Sequence, residues 1–152
     1  MTDKILSLED ERQIIRLMNL YCHYINDGNA EEWAGLFSEN GCFERLNPSP
    51  ASVGGLETPA GATEGRDALH ELMIGRRKIF RGLVRHQNSD IVLFKGDHDD
   101  HAVGRSTMLI TDWRDGPGRV SVITDCRSEF VRKPDGWRIQ SVRLKTLPMV
   151  AS

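Results

Sequence analysis

The C-terminal half of the sequence constrains the fold most strongly, because it consists of strand-like segments separated by short turns. Residues of high β-propensity, partly in apolar–polar alternation, fill the segments 83–94, 101–113, 120–132 and 137–145. The turns between them read KGDHDD, RDGPGR and KPDG. Connections this short favour antiparallel pairing of neighbouring strands. The sequence therefore predicts a meandering antiparallel sheet in this half of the chain.

The N-terminal half has helical periodicity instead. Between residues 8 and 26 the apolar residues recur every three or four positions, with Ser7 as candidate N-cap and Gly28 as candidate C-cap. We predict a short helix over about 30–36, a short strand in GCFERL and a second amphipathic helix over 65–81. The core-facing side chains expected after the first helix are Trp33, Leu36, Phe37, Leu69, Leu72, Met73, Ile79 and Phe80. Helices followed by a meander indicate an α+β fold, with the sheet curled over the helices.

One long segment between these elements has no periodicity. Residues 47–63 read NPSPASVGGLETPAGAT and include three prolines and three glycines. Loops of this length inside a small domain are usually lids, rims or disordered flaps. We therefore expect this segment to be mobile and open to early proteolysis.

Composition excludes several classes of protein. A chain of 152 residues is long enough for one domain with a real core, and its 22 acidic and 20 basic residues nearly cancel. This balance gives no reason to expect nucleic acid or a membrane surface as a partner. The N-terminus is too charged for a secretory signal, and the three cysteines are widely spaced, which argues against disulfides and a zinc site. We expect a cytoplasmic protein.

Several motifs together resemble a known family. YCHYINDGNAEEWAGLFSENG, GRDAL, RHQNSDIVL and DGWRI, in this order, are similar to the nuclear transport factor 2-like superfamily, specifically its SnoaL-like branch. The resemblance covers most of the chain and implies a single domain over 1–152. It implies a cystatin-like cone, in which a long N-terminal helix and two further helices pack in a strongly curved antiparallel sheet. It also implies an internal, mostly apolar pocket and a homodimer formed through the outer face of the sheet.

The resemblance also implies a histidine and its orienting acid. In similar enzymes, such as scytalone dehydratase and hexachlorocyclohexane dehydrochlorinase, an aspartate at a helix end orients a strand histidine that removes a proton from the substrate. The histidine of VRHQN is His86, whereas the acid position falls on Asn26 or, with a shift of one residue, on Asp27. At about 100° per residue, Asn26 lies about 100° from the centre of the apolar helix face and Asp27 about 160°. Helix geometry thus favours Asn26, although an asparagine here is also a common helix cap and a strand histidine is often merely buried.

Other polar residues are candidates for substrate contacts. Tyr21 and Tyr24 lie on and beside the apolar stripe of the first helix, where a core role is the commoner alternative, and Asn88 shares the strand face of His86. Arg143 is similar to an arginine in the last strand of some family members, but the match is displaced by one residue and Val142 is the alternative position.

Two charged clusters have simpler explanations than a functional site. DHDDH (97–101) offers metal-ligand types but lies in a predicted turn, so no metal is expected. RRKIFRGLVR (76–85) is interpreted as a solvated helix end, with contact to an anionic substrate or partner as the alternative.

The expected function is chemistry on a small molecule. We expect a lyase or isomerase without a cofactor, acting on a cyclic or polyketide-like, largely apolar compound with His86 as the base. The first alternative is a binding protein with the same pocket and no turnover, which the missing acid favours. The second is a structural subunit similar to the β subunit of an aromatic-ring dioxygenase.

Overall fold

The computed structural model describes residues 4–48 and 59–148. Within these ranges the N-terminal part is mainly helical, and strands form most of the C-terminal part. In chain order they are α1 (Leu8–Asp27), α2 (Ala30–Gly35), β1 (Phe37–Arg45), β2 (Gly61–Glu64), α3 (Arg66–Phe80), β3 (Val84–Lys95), β4 (His101–Asp112), β5 (Arg119–Lys133) and β6 (Gly136–Thr146). The order confirms the predicted α+β layout.

Local signals set both ends of α1 as predicted. The side chain of Ser7 accepts a hydrogen bond from the Asp10 N–H at 3.1 Å, which satisfies one of the free donors of the first turn. Gly28 ends the helix in the left-handed conformation, with φ of 69°. A Cβ at position 28 would also lie 2.8 Å from side-chain carbons of Arg77 on α3. The positive φ and this close approach both favour glycine here.

The strands form a six-stranded sheet of order β2-β1-β6-β5-β4-β3. The four C-terminal strands pair antiparallel with their neighbours, as predicted. The sheet is nevertheless mixed, because β1 pairs with β6 in parallel. Two details of the sequence prediction were therefore wrong: the GCFERL strand begins earlier, at Phe37, and residues 61–63 of the supposed loop belong to a strand that pairs with β1. Residues 49–58 of that loop lie outside the described residues.

Irregular pairing accompanies the curvature of the sheet. The register shifts between Ser89 and Val92 in β3, and further shifts occur along the β4–β5 and β5–β6 pairs. Asp90 in the first of these shifts has a positive φ of 53°. Bulges bend a strand and increase its twist, so these positions let the sheet curl around α1.

Aromatic side chains fill the centre of the cone. Trp33 and Phe37 are fully buried, and their ring centroids lie 4.9 Å apart in an edge-to-face arrangement. The prediction that Ile79 faces the core was wrong, because its side chain is 45% exposed. No helix in the described ranges is long and apolar enough to cross a membrane.

The start of α1 is attached to the last hairpin by a shared carboxylate. One oxygen of Asp10 accepts hydrogen bonds from the indole N–H of Trp137 at 2.9 Å and from Arg132 at 2.7 Å. The Arg132 guanidinium also lies 4.8 Å from the centroid of the Trp137 ring. These contacts of Asp10 with Trp137 and Arg132, called the Asp10 latch below, hold the first turn of α1 against the sheet. They thereby help to set the position of the C-terminal end of the helix.

Candidate active site

The C-terminal end of α1 holds His86 through the side chain of Asn26. The Asn26 Oδ1 accepts a hydrogen bond from the His86 backbone N–H at 2.6 Å, and its Nδ2 donates to the His86 carbonyl at 3.2 Å. The same Oδ1 lies 3.3 Å from Nδ1 of the imidazole. Asn26 is buried and Asp27 is exposed, so the structure brings Asn26 to the histidine and leaves Asp27 in solvent.

This arrangement selects one tautomer of the neutral imidazole. The Asn26 atom that faces the His86 backbone N–H must be the amide oxygen, because only an acceptor satisfies that donor. A proton on Nδ1 can then be donated to the same oxygen, whereas an unprotonated Nδ1 would place two lone pairs against each other. The arrangement therefore favours the Nδ1–H form, which leaves Nε2 as the basic atom of the ring.

The surroundings of His86 disfavour its charged form. Burial lowers the pKa of His86 to about 3, with further lowering by the positive charges of Arg76 and Arg45. Asn26 adds no negative charge to oppose these effects. His86 is therefore neutral near pH 7.

Arg45 and Arg76 are site residues that the sequence analysis did not identify. Arg45 is buried at the end of β1, and Arg76 is half-buried on α3, with its guanidinium 4.8 Å from the centroid of the Phe43 ring. The sequence pattern nevertheless indicates that both side chains point inward. Strand alternation places Arg45 on the face of Phe43, and helical spacing places Arg76 on the stripe of the buried Leu69 and Met73. The interpretation of 76–85 as a solvated helix end was thus wrong for its first residue.

Tyr21 and Asn88 line a small cavity inside the cone. Its volume is about 10 Å³, roughly the space for one water molecule. The Tyr21 ring packs 5.6 Å from that of Trp33, and burial raises the pKa of its hydroxyl, which therefore keeps its proton. The buried Oδ1 of Asn88 has no hydrogen-bond partner among the described residues. The remaining wall is mainly apolar and consists of Met18, Met108, Cys126, Ser128, Phe130, Ile139 and Val142.

The other two predicted contact residues lie away from this cavity. Tyr24 is half-buried and packs against the edge of the core. Arg143 is exposed on the outer face of the sheet, where it pairs with Glu44 at 3.3 Å and with Glu129 at 3.7 Å. Val142, the alternative position, is buried and faces the cavity. The structure therefore does not bring Arg143 to His86.

A larger groove of about 410 Å³ runs between the outer side of α1 and the turn before β6. Gln13, Leu17 and Trp137 are among its lining residues, and it contains none of the predicted site residues. His86, Arg45 and Arg76 line neither this groove nor the small cavity. Asn88 of the cavity shares the strand face of His86, so the interior remains the candidate site.

The DHDDH segment is a surface turn with local ion pairs. Asp99 lies 2.6 Å from Lys95, and Asp100 lies 3.1 Å from Arg132. Among the described residues, no group of three or more histidines, cysteines or acids is arranged to hold a metal ion.

Comparison with protein families and with curated proteins gives two results. The family model described as SnoaL-like domain matches residues 6–143. No curated protein matches the sequence significantly.

Solved structures share the whole fold at low sequence identity. An NTF2-like protein with a cystatin-like fold from Novosphingobium aromaticivorans is 22% identical, with a TM-score of 0.77 over 95% of this chain and 86% of its own. An aspartate-to-asparagine variant of a protein of unknown function from Mycobacterium tuberculosis is 25% identical and has a TM-score of 0.78. The match covers 95% of this chain and 80% of that protein. A candidate scytalone dehydratase from N. aromaticivorans is 24% identical and has a TM-score of 0.72. The match covers 93% of this chain and 86% of that protein.

Proposed function

Because the chain belongs to the SnoaL-like domain family, we propose that it binds a small ring compound inside the cone and that His86 accepts a proton from it. The reaction class is that of a lyase or isomerase: a proton leaves a carbon of the substrate, and the electron pair either expels a leaving group or shifts a double bond. The fold supports this choice only in general terms, since related folds host several functions.

The observation that carries the proposal is the contact between Asn26 and His86. Three close approaches between the two residues, at 2.6, 3.2 and 3.3 Å, fix the backbone and the ring of a buried histidine at once. A buried asparagine needs partners for both its amide oxygen and its amide nitrogen, and here one residue, His86, supplies both. Holding the Nδ1–H tautomer leaves Nε2 free to accept a proton, which is what a general base requires.

The polar groups of the cavity supply the second half of the proposed chemistry. The Tyr21 hydroxyl keeps its proton and can donate to a carbonyl or leaving-group oxygen. Asn88 can hydrogen-bond a substrate hydroxyl through its unpartnered Oδ1. A ring compound needs more space than the cavity provides, so Met18 and Met108 must change rotamer on binding, which their unbranched side chains do at low cost.

A binding protein without turnover is the second candidate, and one observation favours it. With its pKa lowered to about 3, His86 is a weak proton acceptor. An asparagine orients the ring but gives the imidazolium no charge stabilisation. In this alternative His86 and Asn88 only hydrogen-bond the ligand.

The experiment that tests the proposal begins with mass spectrometry of the purified protein under native conditions to detect a retained ligand. That compound and a panel of cyclic β-hydroxy ketones are then assayed for elimination and isomerisation. His86→Ala should lower the rate by about 10²–10⁴. Gln87→Ala, an exposed neighbour on the same strand, should not change it. Ligand binding without turnover by the native protein would leave the binding-protein alternative.

We also propose that the protein forms a homodimer through the outer face of the sheet. Val92 and Phe94 are 50% and 37% exposed on β3, and they offer apolar area for such a contact. Arg127, which lies on β5 opposite Arg143, can pair across the interface with an acidic residue of the second copy.

A further inference from the structure

Two arginine side chains in the interior of the cone, Arg45 and Arg76, have no carboxylate partner among residues 4–48 and 59–148. Arg76 lies 4.8 Å from the centroid of the Phe43 ring, and Arg45 follows Phe43 on the same face of β1, so both side chains lie near this ring. Burial and these positive charges lower the pKa of His86, and the charges oppose the rise that burial causes in the pKa of Tyr21. Within the described part of the chain, neither arginine forms an ion pair with an aspartate or glutamate. Arg114 and Arg132, by contrast, lie 2.7 Å from carboxylate oxygens.

An unbalanced cation at a buried position is unfavourable, and proteins usually pair such a group. Arg45 is only 8% exposed, and its buried Nε has no hydrogen-bond partner among the described residues. Burial, with the nearby charge of Arg45, lowers the pKa of Arg76 to about 10, so that Arg76 remains cationic near pH 7. Burial also lowers the pKa of Arg45, but a guanidinium is so weak an acid that it keeps its proton in proteins. No carboxylate among the described residues pairs with these two charges, so a bound anion can act as their counterion.

We propose that the interior site recognises a ring compound that carries a carboxylate. The carboxylate lies between the guanidinium groups of Arg45 and Arg76, and the ring lies against Phe43 and Tyr21. A guanidinium matches a planar carboxylate through two parallel hydrogen bonds, which a lysine cannot offer. The stacking of Arg76 on Phe43, at 4.8 Å from the ring centroid, puts an aromatic surface next to the charge. This inference rests on the proposed use of the interior as a ligand site.

The ligand's charge has a consequence for His86. A carboxylate bound to the two arginines offsets the positive charge that lowers the pKa of the imidazole, and it therefore makes His86 a stronger base. The substrate thus provides the negative charge that Asn26 lacks. By linkage, protonation of His86 strengthens binding of the anion to the same extent.

The test compares two probes of nearly equal shape, benzoate and benzamide, by NMR titration of the full-length protein at pH 7. We expect benzoate to bind at least about tenfold more tightly than benzamide, the effect of a few charge-assisted hydrogen bonds. Arg76→Gln and Arg45→Gln should each weaken benzoate binding by about tenfold or more and weaken benzamide binding much less, because only benzoate makes charge-assisted hydrogen bonds. Arg85→Gln serves as the matched control, because Arg85 is exposed next to His86 in β3. Arg76→Lys keeps the charge but loses the planar fork, so its affinity for benzoate should fall between those of the native protein and Arg76→Gln.

The outcomes separate this inference from the proposed function. Equal affinities for benzoate and benzamide, or an unchanged benzoate affinity in Arg76→Gln, would overturn the carboxylate site while leaving the pocket intact. Tighter binding of inorganic phosphate than of benzoate would also overturn it, because the ring would then contribute nothing. If neither ring compound binds, the carboxylate site fails, and the proposed function is decided separately by the ligand search and the turnover assays. Should Arg45→Gln not fold, the Arg76 variants decide the question.

Discussion

At the scale of single residues, the environment of His86 differs from that of a histidine paired with an acid. Its ring is oriented by an amide oxygen, and the neighbouring charges are both positive. Orientation and charge stabilisation are separate contributions to a general base, and this site supplies only the first from its own side chains. A negative charge at position 26 would therefore oppose the lowering of the His86 pKa by burial and by the two arginines.

Asn26→Asp tests that dependence. A carboxylate 3 to 4 Å from the imidazole favours the protonated ring and should raise the pKa of His86. If the protein is a proton-abstracting enzyme, turnover should increase. The substitution removes the donor to the His86 carbonyl, so folding is checked by circular dichroism.

Asp27→Asn is the matched control for this change. Its side chain is exposed, so both turnover and the pKa of His86 should stay as in the native protein. Loss of activity in Asp27→Asn, with Asn26→Asp neutral, would show that the acid position had been assigned to the wrong residue.

The lowered pKa of His86 also predicts how stability depends on pH. Between its ordinary pKa of 6.5 and the folded value of about 3, the unfolded chain binds a proton that the folded protein does not. The free energy of unfolding should therefore decrease as the pH falls through this window, by about 2 kcal/mol between pH 7 and pH 5 from this residue alone. Urea unfolding of the native protein and of His86→Gln at both pH values measures the difference. Equal pH dependence of the two proteins would contradict the buried, neutral histidine.

At the scale of elements, the Asp10 latch helps to set how α1 presents Asn26 to the sheet. The helix is anchored near its first turn to Trp137 and Arg132, and near its last turn to His86. Loss of the contacts near the first turn should mainly lower the free energy of unfolding, because the core contacts of α1 keep Asn26 beside His86.

Asp10→Ala should lower the free energy of unfolding by about 1–3 kcal/mol, since it leaves the Trp137 N–H without its partner. Burial opposes ionisation of Asp10, but hydrogen bonds from Trp137 and Ser7 and the charge of Arg132 lower its pKa below the ordinary 3.8. Its contribution is therefore complete above that value and is lost as the pH falls through the lowered pKa. Glu11→Ala in the same turn is the control. Equal urea midpoints for the two variants would show that the latch is not stabilising.

The elements also show which features were predictable from sequence. The caps Ser7 and Gly28, the buried Trp33 and the four C-terminal strands follow from signals within a few residues, and they were predicted correctly. The parallel pairing of β1 with β6 joins segments about a hundred residues apart, and no local pattern encodes it. Arg45 and Arg76 were missed because a charged side chain is expected in solvent, even where its position on a strand or helix points inward.

At the scale of the whole molecule, the proposed dimer makes stability depend on concentration. Association through the outer sheet face stabilises the folded state by mass action, so dilution should lower the melting temperature. Phe94→Glu places a charge in the proposed interface and should shift light scattering from a dimeric to a monomeric mass. A concentration-independent melting temperature and a monomeric native protein would reject the dimer.

The roles of Asn26 and His86 are tested most directly by NMR of the imidazole nitrogens, which follows the ionisation of His86 in the native protein and in Asn26→Asp. We predict a neutral ring with the proton on Nδ1, titrating far below the ordinary pKa of 6.5, and a higher pKa in the variant. A His86 that titrates near 6.5 in the native protein, or that carries its proton on Nε2, would contradict the role assigned to Asn26 and the base assigned to the site.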